Sequence, residues 1–301
     1  MRRFILSLAL GFFMLNPAAS EAVAQDKTTL NVQVGQSIRS YTLYMPRTES
    51  GRKVPLVLAF HGGGGNGDRF AEQTRFPELA QSEGFAVAFM EGSGRLKTWN
   101  AVYCCGEAVK IDANEDVFVL AAIQQISTAY PIDDKRIYLV GHSNGGMNVQ
   151  RLAERLAGRI AAAASVAGPR FEPVSEGQPV PFLMIQAKDD QAVPFEGGFS
   201  NQLIVRHTQT KPFLPAAETM HSWARRNGCS AVPTQEVGRQ DSYVRYVFRN
   251  CAAPVEYYLL AYGAHPWHSL VGVPDRKGNR TPAPIMDTVV VWNFFKSFRL
   301  R

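Results

Sequence analysis

Charge is sparse in this 301-residue chain, with only 19% of residues Asp, Glu, Lys or Arg. No stretch reaches the roughly 20 consecutive apolar residues that a membrane-crossing helix requires. There is no C-x-x-C pair among the four cysteines, which removes zinc-ribbon and thioredoxin-type readings. Gly-Lys-Ser/Thr is also missing, so no phosphate-binding loop of the nucleotidase type is present. Nor is there an internal repeat, and the 25 Gly and 18 Pro follow no period, which excludes collagen-like and low-complexity chains. Basic residues exceed acidic ones, 32 to 26, but they are scattered. The late patch Arg276, Lys277 and Arg280 lacks any nucleic-acid-binding pattern. It is read as a solvated surface, and no nucleic-acid partner is expected.

What the chain does carry begins with a leader. Arg2 and Arg3 precede the apolar run Phe4 to Leu15, and Ala22-Val23-Ala24 follows. A short basic region, an apolar segment of about twelve residues and an A-x-A site make a secretory signal peptide. Residues 1–24 are therefore expected to be removed, leaving 25–301 as one soluble catalytic domain, secreted or periplasmic, off the membrane and monomeric. In an oxidising compartment four cysteines imply disulfides. Cys229 and Cys251 bracket a polar, strand-like segment and form the favoured pair. Cys104 and Cys105, adjacent in sequence, then bridge each other or stay reduced, and crossed pairings remain open.

Strand and helix patterns alternate along the remainder. Thr28–Val34 and Ser40–Tyr44 read as short opening strands, and Val54–Phe60 as a strand buried on both faces. A helix is predicted over Arg69–Glu83, then a strand over Phe85–Met90, a helix over Asp116–Ala129 and a strand over Arg136–Val140. A helix over Met147–Ala157 and strands over Ile160–Val166, Phe182–Ile185 and Val255–Leu260 follow, with a C-terminal helix over Asp287–Phe298. Phe195 to His221 has no clear period and leaves room for a partial lid. Such alternation predicts an α/β fold, a mostly parallel central sheet with helices on both faces. Sites in such sheets lie at the strands' C-terminal edge.

That edge is where the chemistry-bearing residues fall. Gly141-His142-Ser143-Asn144-Gly145-Gly146 stands between the Arg136–Val140 strand and a helical pattern. G-x-S-x-G in this context is a nucleophile elbow, a sharp turn that lifts the serine hydroxyl above the sheet, and side chains at Gly141 and Gly145 would collide with its neighbours. A serine hydroxyl needs a base, and the base an orienting acid. The strand at Phe182–Ile185 runs into Lys188-Asp189-Asp190, and that at Val255–Leu260 into Gly263-Ala264-His265-Pro266-Trp267-His268. Spacing alone does not choose Asp189 or Asp190, nor His265 or His268. An H-x-x-H metal site from His265 and His268 is weakly signalled on a Pro-containing loop, and no metal is expected. After Phe60 comes His61-Gly62-Gly63-Gly64-Gly65-Asn66, a glycine run whose backbone can approach a substrate closely. It is read as an oxyanion loop, with a dinucleotide-binding reading set aside and no organic cofactor expected.

Taken in order, His61-Gly62-Gly63-Gly64-Gly65-Asn66, Trp99-Asn100, Cys104-Cys105-Gly106, Gly141-His142-Ser143-Asn144-Gly145-Gly146-Met147, Asp190-x-x-Val193-Pro194 and His265-x-Trp267 resemble the extracellular polyhydroxybutyrate depolymerase-like esterases. That family includes feruloyl and acetylxylan esterases of the α/β-hydrolase superfamily, and the resemblance spans roughly Tyr41 to Phe298. It implies Ser143 as nucleophile, Asp190 as acid and His265 as base, with N–H groups of Gly63 and Asn144 receiving the oxyanion. It also supports pairing Cys229, which follows Asn-Gly, with Cys251. The chain departs from the family at Gln186-Ala187-Lys188-Asp189, where His-Gly-Thr is usual, and at Gly263-Ala264-His265-Pro266-Trp267-His268-Ser269. Both departures bear on the substrate more than on the chemistry. The expected partner is an ester substrate, either a feruloyl or acetyl ester of polysaccharide or a hydroxybutyrate oligomer, with soluble or oligomeric esters favoured over insoluble polymer by the chain's length. Trp99 and Trp267 are expected to line the cleft. The competing readings are a serine peptidase on the same scaffold and a non-catalytic carbohydrate- or polymer-binding protein.

Overall fold

The computed structural model describes residues 26–49, 51–269, 273–274 and 280–301. The signal peptide expected over residues 1–24 lies outside them, as do Arg276 and Lys277 of the basic patch. The chain opens with an antiparallel pair, β1 (Asp26–Val34) and β2 (Ser37–Met45), followed by β3 (Val54–Phe60). Then come α1 (Gly67–Thr74), α2 (Phe76–Glu83), β4 (Ala86–Met90), α3 (Glu107–Lys110), α4 (Glu115–Ala129) and β5 (Ile132–His142). The middle holds α5 (Asn144–Arg155), β6 (Ala162–Val166), β7 (Phe182–Ala187), α6 (Leu203–Thr208) and α7 (Ala216–Arg226). It ends with β8 (Thr234–Val237), β9 (Tyr243–Phe248), β10 (Val255–Leu260), the small pair β11 (Val273–Pro274) and β12 (Arg280–Thr281), and α8 (Asp287–Phe295).

Ten strands make one sheet in the order β1-β2-β4-β3-β5-β6-β7-β10-β9-β8. From β4 to β10 the pairings are parallel, and both flanks are antiparallel. All seven residues of β3 are buried, as a near-continuous apolar strand in the middle of a parallel sheet must be. Alternation then divides the core. Leu56, Leu58 and Phe60 face a layer with Phe118 of α4, Val149 and Leu152 of α5, and Met220 and Trp223 of α7. Val57 and Ala59 face the opposite layer, with Phe70 of α1, Phe76 of α2, and Trp292 and Phe295 of α8. Helices therefore cover both faces, as expected.

Two local readings change. The single helix expected over Arg69–Glu83 is two, broken at Arg75, which takes a left-handed φ of 56°. Pro77 explains the break, since it has no N–H to donate and its ring would strike the preceding turn of a continuous helix. The aperiodic stretch from Phe195 to His221 divides as well. Its end is already α7, whose Met220 and Trp223 are buried against the sheet. Only its first part, including α6 with no buried side chain, lies on the surface. Cys229 is bridged to Cys251 and Cys104 to Cys105. The first bridge closes a sequence separation of 22 and stabilises the fold by about 3 kcal/mol through the unfolded chain's entropy.

Candidate active site

The end of β5 sets the site. Ser143 follows it with φ 53° and ψ −123°, a strained conformation for a residue with a side chain, which costs roughly 1–3 kcal/mol. The Ser143 N–H is tied to the Val166 carbonyl at 2.9 Å. A Cβ on Gly141 would overlap the backbone of Gly145, and one on Gly145 would overlap the carbonyls of Phe60 and His61. The turn is therefore possible only with glycine at both places.

Loops after β7 and β10 bring the partners. His265 Nε2 lies 2.8 Å from Ser143 Oγ, and His265 Nδ1 lies 2.8 Å from Asp190 Oδ2. Asp190 is buried, and its other oxygen accepts from the N–H groups of Ala192 and Val193, each at 2.9 Å. The carboxylate is thus fixed in orientation, and it accepts a hydrogen bond from Nδ1–H while leaving Nε2 to the serine. Asp189, the other acid open to sequence reasoning, accepts from the Ala264 N–H at 2.8 Å and so holds the loop that carries His265. His268 is buried and bonded to Asp287, at 3.0 Å from Nδ1 to Oδ2. Among the described residues no His/Cys/Asp/Glu cluster gathers to hold a metal, and His265 and His268 are each engaged with a different carboxylate.

The glycine run lies against the elbow. Gly64 and Gly65 use their N–H groups on Lys97 O (3.2 Å) and Gly62 O (3.0 Å). Gly62, Gly64 and Gly67 do satisfy the G-x-G-x-x-G spacing between β3 and α1, but with those donors spent inside the loop they do not cradle a pyrophosphate. The N–H groups of Gly63 and Asn144 have no acceptor among the described residues. Asn144 also begins α5, where the helix dipole favours negative charge. Its side chain clamps the Trp99 backbone on both sides, accepting from the Trp99 N–H at 2.8 Å and donating to the Trp99 carbonyl at 3.1 Å.

Both tryptophans require correction. Trp99 is fully buried, donates its indole N–H to His61 O at 2.8 Å, and packs edge-on against Phe60. Trp267 is 7% exposed, bonds Thr288 Oγ1 at 3.0 Å, and packs against Phe70 of α1. Neither ring lines the cleft. Each braces the loop that carries a polar site residue, because a large aromatic ring gains more from core burial than a mobile loop can provide.

Two further histidines went unremarked in the sequence. His142 donates from Nε2 to the His265 carbonyl at 2.7 Å. Burial first, and then the neighbouring His265, push its pKa down to about 3, so the ring is neutral. His61 donates from Nδ1 to Gly62 O at 2.7 Å and accepts the Gly92 N–H on Nε2 at 3.1 Å. Burial pushes its pKa down to about 4. Their signal was position, since each is a polar residue at a strand's end, directly beside the elbow serine or the glycine run.

A groove of about 560 Å³ runs along α5 from Met147 to Gly158, and none of Ser143, Asp190 or His265 lines it. Tyr103, Arg151, Glu154 and Arg170 are among its walls.

Residues 39–176 match the family model described as esterase PHB depolymerase. Over that span, a little under half of the chain, the sequence is similar to the PHB depolymerase esterases. The matched span contains the glycine loop and the Ser143 elbow, whereas Asp190 and His265 lie beyond it. Feruloyl esterase B of Piromyces equi is 29% identical over 215 residues, 68% of this chain and 38% of that protein. A bifunctional acetylxylan esterase/xylanase of Neocallimastix patriciarum is 32% identical over 182 residues, 56% of this chain and 26% of that protein. The chain thus spans well under half the length of either relative. An acetyl xylan esterase structure from Aspergillus awamori aligns over 89% of this chain and 99% of its own, with a TM-score of 0.65 at 12% identity. The fold is that of an α/β-hydrolase.

Proposed function

We propose that this protein is an exported serine carboxylic-ester hydrolase that works through an acyl-enzyme. The observation that carries the reading is the continuous hydrogen-bonded line from Asp190 through His265 to Ser143, 2.8 Å at each step. In this mechanism His265 Nε2 takes the proton of Ser143 Oγ as the oxygen attacks an ester carbonyl, and Asp190 stabilises the imidazolium that forms. The alcohol leaves with that proton. Water then attacks the acyl-enzyme with His265 again as base. The tetrahedral oxyanion meets the unengaged N–H groups of Gly63 and Asn144, and removing one such donor typically costs about 3–4 kcal/mol in the barrier.

The family match and relatives named feruloyl and acetylxylan esterases favour esters linked to polysaccharide. Hydroxybutyrate oligomers are the alternative substrate. Export is supported by the leader at residues 1–24 and by two disulfides.

A fluorophosphonate probe should label Ser143 in the folded protein, and Ser143→Ala should abolish labelling and lower kcat by roughly 10⁴-fold or more without changing stability. Retained activity in that variant would overturn the nucleophile assignment. Rates on methyl ferulate, acetylated xylan and a hydroxybutyrate oligomer, measured side by side, rank the substrates, with amide analogues testing for a peptidase.

A further inference from the structure

A second aspartate–histidine pair stands behind the first. His268 is 3% exposed and Asp287, the first residue of α8, is fully buried. The two hold each other reciprocally. Asp287 Oδ2 accepts from the His268 backbone N–H at 2.7 Å, and the Asp287 N–H donates to the His268 carbonyl at 3.1 Å. His268 Nδ1 lies 3.0 Å and 3.2 Å from the two Asp287 oxygens, and its Nε2 lies 3.1 Å from the carbonyl oxygen of Gly263. Both ring nitrogens thus face atoms that only accept. A neutral imidazole has one proton and serves one of them, whereas an imidazolium serves both. Gly263, at φ 145°, has no room for a side chain because His268 Nε2 occupies the space.

These contacts close a ring around the short loop from Gly263 to His268 that carries His265. The loop is also held at Ala264 by Asp189 and at the His265 carbonyl by His142. Two of its tethers run to α8: the His268–Asp287 pair, and the Trp267 indole N–H that donates to Thr288 Oγ1 at 3.0 Å. We propose that His268, held as a buried imidazolium by Asp287, is a positioning residue that sets the depth at which His265 meets Ser143. The reading rests on the esterase mechanism above.

The groups facing His268 are Asp287 from α8, Asp189 from the loop after β7, and His142 at the end of β5. Burial alone would lower the His268 pKa, but the charge and hydrogen bond of Asp287 outweigh it and the pKa is raised. Loss of the proton at high pH would leave Nδ1–H on the carboxylate and release the Gly263 carbonyl. Activity should then fall on the alkaline side because the loop slackens.

The direct test needs no variant. In ¹⁵N-histidine-labelled protein at pH 7, both His268 ring nitrogens should carry protons, and a singly protonated ring would overturn the proposal. Asp287→Asn keeps the shape and removes the charge. Its alkaline limb in kcat should move down by at least one pH unit while KM stays within twofold. His268→Gln, which retains one amide donor, should lose at least tenfold in kcat at pH 7 with KM again within twofold. If either variant is folded by thermal melt yet keeps the wild-type kcat and pH profile, the proposal is wrong. If wild-type protein hydrolyses no ester and takes no fluorophosphonate, the esterase reading fails instead. The NMR result then still decides the protonation state.

Discussion

Asn144 shows how much one side chain settles. Its backbone N–H meets no acceptor among the described residues, while its amide grips both sides of the Trp99 peptide backbone. Trp99 in turn bonds the carbonyl of His61, immediately before the glycine run. The two N–H groups proposed to receive the oxyanion, separated widely in sequence, are thereby fixed relative to each other through one indole. Trp99→Phe removes the indole N–H with part of the ring and orphans the His61 carbonyl, a buried acceptor whose loss of a partner costs about 1–3 kcal/mol before any cavity cost. The expected result is a protein destabilised by at least that amount in urea unfolding, with kcat reduced by the same factor for every ester tested. A change in the ranking of esters would restore Trp99 to the cleft wall.

At the scale of elements, β5, the turn and α5 act as one piece. Gly145→Ala would drive a methyl group into the carbonyls of Phe60 and His61 at the end of β3. Backbone cannot move aside as a flexible side chain can, so a cost of about 3 kcal/mol or more is expected. A chemical denaturation curve within 1 kcal/mol of wild type would contradict that account. This piece was the most legible in the sequence, because G-x-S-x-G demands a particular backbone and the flanking patterns were those of a strand and a helix. The strand order of the triad carriers was also readable, since β7 and β10 are apolar runs that end in acidic and histidine-containing loops. Trp99 and Trp267 were misread because motif position says a residue matters, not which way its ring points. Packing of Trp267 against Phe70 and of Trp99 against Phe60 joins residues far apart in the chain. The helix break at Arg75 was readable from Pro77, whereas β8, the edge strand, has every residue exposed and gives no period to detect.

The whole molecule should show its buried histidines in its response to acid. His61 and His142 have folded pKa values pushed down to about 4 and about 3, below the roughly 6.5 of an unfolded histidine. As pH falls below that value the unfolded chain binds two protons that the folded chain refuses. Stability should fall from about pH 6.5 downward, each ring contributing a slope that approaches about 1.4 kcal/mol per pH unit. The slope from His61 ends near pH 4, where its folded form also protonates, and that from His142 near pH 3. His268 has the opposite sign, since its pKa is raised on folding. Its stabilisation is complete below the unfolded value and is lost as pH rises through the folded one. Urea unfolding at pH 7.5, 6 and 5 with a constant m-value measures the acid slope, and an unfolding free energy that is level from pH 7 to 5 would refute it.

The loops that carry the site follow strands that appear late and in turn. His265 lies 122 residues beyond Ser143, and Asp287, the clasp on its loop, is 19 residues beyond His268. A chain that emerges N-terminus first therefore shows its serine long before it has a base to activate it. Until β10 has docked beside β7 and α8 has closed over the sheet, Ser143 is an ordinary alcohol. On the mechanism proposed above, the clasped base is in place only once the last tenth of the polypeptide, which carries α8, has folded.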